Sequence, residues 1–483
     1  MNASGSDRFI GLQMGPVNFA DEGVEPLLDM LAERFAIGAL MIGTVSWLGL
    51  KVGRSVSRQI EGWPDHGRRD DSPLRGGSYL TPRPAFYSNT LIKQFRATDP
   101  GLGKFDVLDA VLPHARARGM RVYPDLMEPM FNYAGHGSSE NVNIPNLPSV
   151  LQVDVLGRIT SEPCLNNPDY RNWLHALIED HCRHYDIDGV MWCNERRSPV
   201  DAALTGVAPH CFCRHCVELA SRDGIDVERA RVAAEAIWRT AVALRAGQVG
   251  VDGALVEFLR TLYRHPEMLV WERFWVERNK ALDRELYGIV KFCDEKLEFG
   301  LNVWNRNHLN PWRKAQWPWD EQTQWADWVK PIVYQHQSGG VFVDEWAPLL
   351  ASLFRGLDPA LVTDLAKAAL GLREASWGEL VQTGFDPDTY VRGQAIDTLA
   401  AVDGRVGVYM GIGVDAPRSR KDQAPCTPEI VKRSVLAAFD AGAGGVIFGP
   451  AYSGMNLATL EGAADAFREL GVLATGQARR LAS

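Results

Sequence analysis

The sequence predicts an α/β protein: a (β/α)8 TIM barrel with long insertions in its βα loops. Three observations predict it. Short β-branched or apolar runs alternate with long amphipathic segments, the pattern of βα units around a parallel sheet. Eight such runs can be counted. The surplus length gathers after the strands, in the loops that rise from the C-terminal face of a barrel, where active sites lie.

The eight strands are expected at 9–14, 37–43, 121–126, 189–193, 300–304, 331–334, 405–411 and 445–448. Helical periodicity falls between them, at 24–34, 106–118, 172–185, 269–297 and 428–441. Turn signals such as Arg118-Gly119-Met120 and Ala441-Gly442 stand just before strands. The long loops are 47–103, 129–168, 196–265, 308–327 and 335–403, of which 196–265 is Ala-rich and helical in pattern. The expectation is one catalytic domain over 1–483, with the main insertions at about 47–103, 196–265 and 335–403. Within the tryptophan-rich stretch, the spacing of Trp325 and Trp328 predicts one face of a helix.

With 483 residues, 46% of them hydrophobic, the chain has ample apolar material for a barrel core. Its formal net charge is −9, and no basic stripe offers nucleic acid or a polyphosphate a face. No run approaches the roughly 18 to 20 apolar residues that span a bilayer. The small polar start, Met1 to Asp7, lacks the apolar core of a secretory signal. A cytoplasmic protein with neutral substrates, no membrane partner and no nucleic-acid partner is expected; a homo-oligomer stays open.

The most informative segment is Tyr185-Asp-Ile-Asp-Gly-Val-Met-Trp-Cys-Asn194-Glu195. A buried strand runs out at Cys193 and an amide and a carboxylate follow at once. At the C-terminal end of a barrel strand such a pair points into the mouth, although the same dipeptide also ends strands and solvates loops. Acid/base chemistry at such a mouth needs one protonated carboxyl to give a proton and a partner group to take one up. A Glu in a partly desolvated aromatic pocket has the raised pKa that a proton donor requires.

Three of the eight cysteines fall in Cys211-Phe-Cys213-Arg-His-Cys216, tight enough for three thiolates to share a tetrahedral ion. The fourth ligand must come from His210, His215 or the distant Cys164 in Cys164-Leu-Asn-Asn-Pro-Asp-Tyr-Arg171.

These motifs resemble the clan-A glycoside hydrolases, and the family-42 β-galactosidases in particular. There a Cys precedes an Asn-rich, Pro-Xaa-Tyr-Arg helix start, an Asn-Glu pair ends strand four, and a Cys-Xaa-Cys-Xaa-Xaa-Cys loop follows. The resemblance covers roughly residues 120 to 220. It implies a glycosidase with Glu195 as general acid/base and Asn194 on the sugar's 2-hydroxyl. It also implies a structural zinc on Cys164, Cys211, Cys213 and Cys216, and no organic cofactor. The family's strand-seven nucleophile, a Glu, has no counterpart in Arg405-Val-Gly-Val-Tyr-Met-Gly-Ile-Gly-Val-Asp415. Asp415, Glu345 and Glu128 are the candidates for the second carboxyl.

A carbohydrate needs flat apolar platforms with polar groups around them. Trp304 and Trp346 are candidate platforms, and Asn302, Asn305, His308, Tyr334 and His336 at the ends of strands five and six are candidate polar partners. His66, in Trp63-Pro-Asp65-His66, belongs to a candidate lid, and Gln13 and Asn18 follow strand one. Two other readings stay open. One is a sugar lyase or epimerase pairing Glu195 with His336 or His308; the other is a sugar-binding barrel without catalysis.

Overall fold

The computed structural model describes residues 8–46, 48–49, 77–93, 96–97, 102, 104–127, 140–141, 146–372, 376–416 and 423–474. Eight parallel strands close into a barrel: β1 (Phe9–Met14), β2 (Ala39–Gly43), β3 (Arg121–Met127), β4 (Gly189–Cys193), β5 (Glu298–Val303), β6 (Trp328–Pro331), β7 (Gly407–Gly413) and β8 (Gly445–Gly449). Each pairs with its neighbour in sequence and β8 closes on β1, through Phe9 opposite Gly445. The fold is the expected (β/α)8 barrel.

Helices cover the outside, among them α1 (Val24–Phe35), α2 (Val107–Ala117), α3 (Pro168–His184), α4 (Glu267–Cys293), α5 (Gln335–Ala351), α6 (Pro387–Val402), α7 (Pro428–Asp440) and α8 (Leu457–Glu469). Their starts are written in the sequence. Asn167 and Thr427 cap α3 and α7 with their side chains, each with Pro at the first helical position. The 196–265 loop is helical as expected, with Pro199–Leu204, Arg214–Arg222, Val227–Arg245 and Ala254–Arg264. Among the described residues no helix is long and apolar enough to cross a membrane.

Strand register sorts the barrel interior into layers. The lower layer is an apolar plug of Phe9, Ala39, Met41, Tyr123, Met191, Trp328 and Ile447, with Tyr409 packed against it. Phe9 stacks on Tyr409 at 4.0 Å between ring centroids, and Tyr123 meets Trp328 edge-on at 5.6 Å. One inward position higher the character changes. Gln13 lies two residues above Gly11, Asp125 two above Tyr123, Cys193 two above Met191 and Lys330 two above Trp328. Cys193, Asn302 and Lys330 are register partners across β4, β5 and β6. A dry floor therefore carries a polar layer.

Three sequence expectations need correction. β6 starts at Trp328, not at 331, because Trp-Val-Lys alternates in and out of the barrel. Trp325 and Trp328 accordingly do not share a helix face: Trp325 ends a 3-10 turn (Thr323–Trp325), and Trp328 opens the strand. β7 also runs two residues further than expected, to Gly413.

Candidate active site

β4 ends at Cys193, so Asn194 and Glu195 leave the sheet at the C-terminal mouth. Trp192 Nε1 donates to Asp283 Oδ1 on α4 at 2.9 Å. Asn194 Nδ2 donates to Asn279 on the same helix and lies 3.5 Å from Asp283. α4 thus fixes the amide from behind. Glu195 is partly buried, and the Cys193 thiol donates to its Oε1 at 3.3 Å. Burial raises the Glu195 pKa, against the Cys193 bond and the charges of Arg306, Lys330 and Arg313, which lower it.

The polar layer beneath is one hydrogen-bonded chain. Gln13 Nε2 donates to Asp125 Oδ2 at 2.9 Å. The Gln13 carbonyl oxygen accepts from Lys330 Nζ and, at 3.0 Å, from the Tyr334 hydroxyl. Lys330 Nζ also donates to Tyr334 Oη at 3.2 Å. Burial pushes Asp125 up to about 6, offset by the Gln13 bond and the Lys330 charge. Burial likewise brings Lys330 down to about 8, against the pull of Asp125, Cys193 and Glu195. Burial, with Glu195 and Asp125 close by, also raises the Tyr334 hydroxyl.

Three buried acceptor oxygens here have no donor among the described residues: Asp125 Oδ1, Asn194 Oδ1 and Asn302 Oδ1. Asn194 and Asn302 line a cavity of about 20 Å³ with Trp192, Asp283 and Trp304, space for a single water-sized group. One water or hydroxyl there could meet these acceptors, each of which costs about 1 to 3 kcal/mol if left unpaired.

The other expected residues divide. Trp304 is buried under the guanidiniums of Arg306 and Arg313, 5.1 and 4.5 Å from the indole centroid. Asn305 is buried at the start of the next helical turn, Arg306–Leu309, and Tyr334 stands above Lys330 in the polar chain. His336 Nε2 donates to the Ala416 carbonyl at 3.2 Å. His308 stacks on Trp319, and burial, then Lys314, brings it down to about 4.

Trp346 packs inside α5 with its indole N–H on the Leu309 carbonyl, 2.9 Å away. Glu345, also on α5, is engaged by Arg306, by Arg197 at 2.9 Å and by Asn310 at 3.1 Å. Burial alone would raise Glu345, but Arg197, Arg306 and Arg313 hold it at about 2. Asp415 accepts from the Asn456 backbone N–H at 2.8 Å and from its side chain at 3.0 Å. Glu128 and His66 lie outside the described residues.

Sequence reasoning missed Asp125 and Lys330. The signal for both was alternation: each stands two residues after an aromatic, Tyr123 or Trp328, that faces into the barrel.

The four cysteines come together. Cys164, Cys211, Cys213 and Cys216 are all buried, with every sulfur within 4.8 Å of the others. N–H groups point at three of them: Asn166 N at Cys164 (3.4 Å), Asn166 Nδ2 at Cys216 (3.3 Å) and Val153 N at Cys211 (3.4 Å). Donors aimed at sulfur favour thiolates, which are the metal-binding form. The cluster could hold a metal ion.

The sequence matches no protein-family model and no curated protein. The fold has counterparts among solved structures. A β-galactosidase from the Antarctic haloarchaeon Halorubrum lacusprofundi superposes with a TM-score of 0.53 at 14% identity, over 96% of this chain and 58% of its own. β-Galactosidases from psychrophilic Marinomonas ef1 and from Rahnella sp. R3 each give 0.50, at 12% and 14% identity, covering 96% and 97% of this chain. The chain spans 56 to 59% of the length of these enzymes. It shares a TIM-barrel fold with glycoside hydrolases.

Proposed function

We propose that the chain is a glycoside hydrolase in which Glu195 is the general acid/base. One observation carries the reading. Glu195 leaves β4 at the mouth with its acidity weakened by burial, beside acceptors that lack donors. A protonated carboxyl there can assist the departing glycosidic oxygen, and Asn194, braced by α4, can orient a sugar hydroxyl.

For the second carboxyl we favour Asp125. It shares the polar layer with Lys330 and keeps one oxygen without a donor. Glu345 and Asp415 are both held by other partners, and Glu128 is the remaining rival. Trp304, Asn302, Asn305 and Tyr334 are proposed to line the sugar site, with His308, His336 and Trp346 further out; His66 stays a lid candidate from the sequence alone.

The four buried cysteines fit zinc. As thiolates they would fill all four positions of a tetrahedral ion and leave none for water. When bound, zinc supplies a cross-link between the Cys164 loop and the 211–216 segment and takes no part in bond cleavage.

The test is a panel of nitrophenyl glycosides with wild type and Glu195→Gln. Hydrolysis of at least one, reduced by about 10²-fold or more in the variant, is expected. Binding without turnover across the panel, or full activity in Glu195→Gln, would sink the proposal. Solvent deuterium appearing at a sugar carbon would replace it with the lyase or epimerase reading.

A further inference from the structure

β7 brings no carboxylate to the mouth, and glycines stand where its side chains would project. A Cβ on Gly411 would lie 3.0 Å from Lys330 Cε, and one on Gly413 would lie 2.8 Å from Tyr334 Cβ. On β8, a Cβ on Gly449 would lie 2.0 Å from Tyr334 Oη and 2.3 Å from Gln13 Oε1. The space released by three glycines is filled from β6, by the Lys330 stem and the Tyr334 ring.

We infer that Lys330 is a positioning residue: joined to Asp125 through Gln13, it favours the ionised form of Asp125. This deepens the glycosidase reading and rests on it for the identity of the reaction. The groups facing Lys330 are Gln13 from β1, Asp125 from β3, Cys193 and Glu195 from β4, Asn302 from β5 and Tyr334 just beyond β6. β7 and β8 contribute only glycine at this level.

The link is geometric. Asp125 is tied to the ammonium by a single bridging amide, and its charge is the strongest electrostatic partner of Lys330. Burial is the largest influence on both acids; Glu195 is bonded to the Cys193 thiol and feels the charges of Arg306, Lys330 and Arg313, whereas Lys330 is the cation that acts on Asp125. In a low-dielectric layer a cation bridged to a carboxyl favours its ionised form. An ionised Asp125 would supply the second carboxylate that two-carboxylate glycoside cleavage requires.

The experiment follows thermal unfolding between pH 6 and 8 for wild type, Lys330→Met, Lys330→Arg and the Lys330→Met/Asp125→Asn double variant. The folded pKa of Asp125 is raised, so its contribution to stability is present below the unfolded value of 3.8 and is lost as pH rises through about 6. Without the ammonium that loss extends to higher pH. The Lys330→Met midpoint should fall by several degrees relative to wild type from pH 6 to 8. Lys330→Arg should follow wild type, and the double variant should lose the fall. If Lys330→Met does not fold, Lys330→Gln takes its place.

A Lys330→Met curve parallel to wild type, or a fall that survives Asp125→Asn, overturns the proposal. On any aryl glycoside that is cleaved, the acidic limb of kcat/KM should move to higher pH in Lys330→Met and stay in Lys330→Arg. Absence of turnover would count against the glycosidase reading alone, because the unfolding series still decides whether Lys330 governs Asp125.

Discussion

Gly449 and Tyr334 stand so close that a Cβ on the glycine would sit 2.0 Å from the tyrosine hydroxyl oxygen. The contact also involves Gln13, which accepts from Tyr334 at 3.0 Å, so a methyl group at 449 strikes the bonded chain across the mouth. Gly449→Ala is expected to destabilise by about 1 to 3 kcal/mol in urea unfolding, as overpacking does. Tyr334→Phe in the same chain should return part of the loss, since it removes the oxygen in closest conflict.

Asp125→Asn and Glu128→Gln separate the two remaining candidates for the second carboxyl. With an aryl glycoside as substrate, Asp125→Asn should lower kcat by about 10²-fold or more, while Glu128→Gln should stay within a few-fold of wild type. The reverse result assigns the role to Glu128.

Glu345 is predicted to hold the fold together rather than to perform chemistry. Its folded pKa of about 2 lies below the ordinary 4.5, so its stabilising contribution is present above 4.5 and is lost as pH falls toward 2. Glu345→Gln should lower stability in denaturant unfolding at neutral pH, with the gap to wild type closing in acid.

The cysteine cluster predicts about one zinc per purified chain by elemental analysis. Cys216→Ser should lose the metal and lower the unfolding midpoint. The pH dependence of turnover in the fraction that stays folded should not move, because the ion has no open coordination site.

Much of this architecture is legible in the sequence, for physical reasons. Strands such as Gly189–Cys193 and Gly445–Gly449 are buried on both faces and read as unbroken apolar runs. The cysteines are legible because three ligands fit within six residues. β6 was harder. Its four residues, Trp-Val-Lys-Pro, follow a tryptophan-rich stretch whose spacing imitates a helix, and a lysine normally marks solvent. Asp125 was overshadowed by Glu128 at the strand end, although counting alternate positions from Tyr123 brings it inside. Which acids are already held by arginine or by backbone N–H groups depends on tertiary contacts. Local sequence does not record that Glu345 meets Arg197 and Arg306.

Trp328 and Lys330 occupy successive inward positions of one short strand, so the ammonium stands directly above an aromatic bed. The bed acts as an electrical insulator as well as a filler. It keeps solvent from reaching the charge from below, and with little water to screen it the field of one amine can act on acids from neighbouring strands. Hollowing the bed, as Trp328→Ala would, should therefore weaken the hold of Lys330 on Asp125 without touching either group.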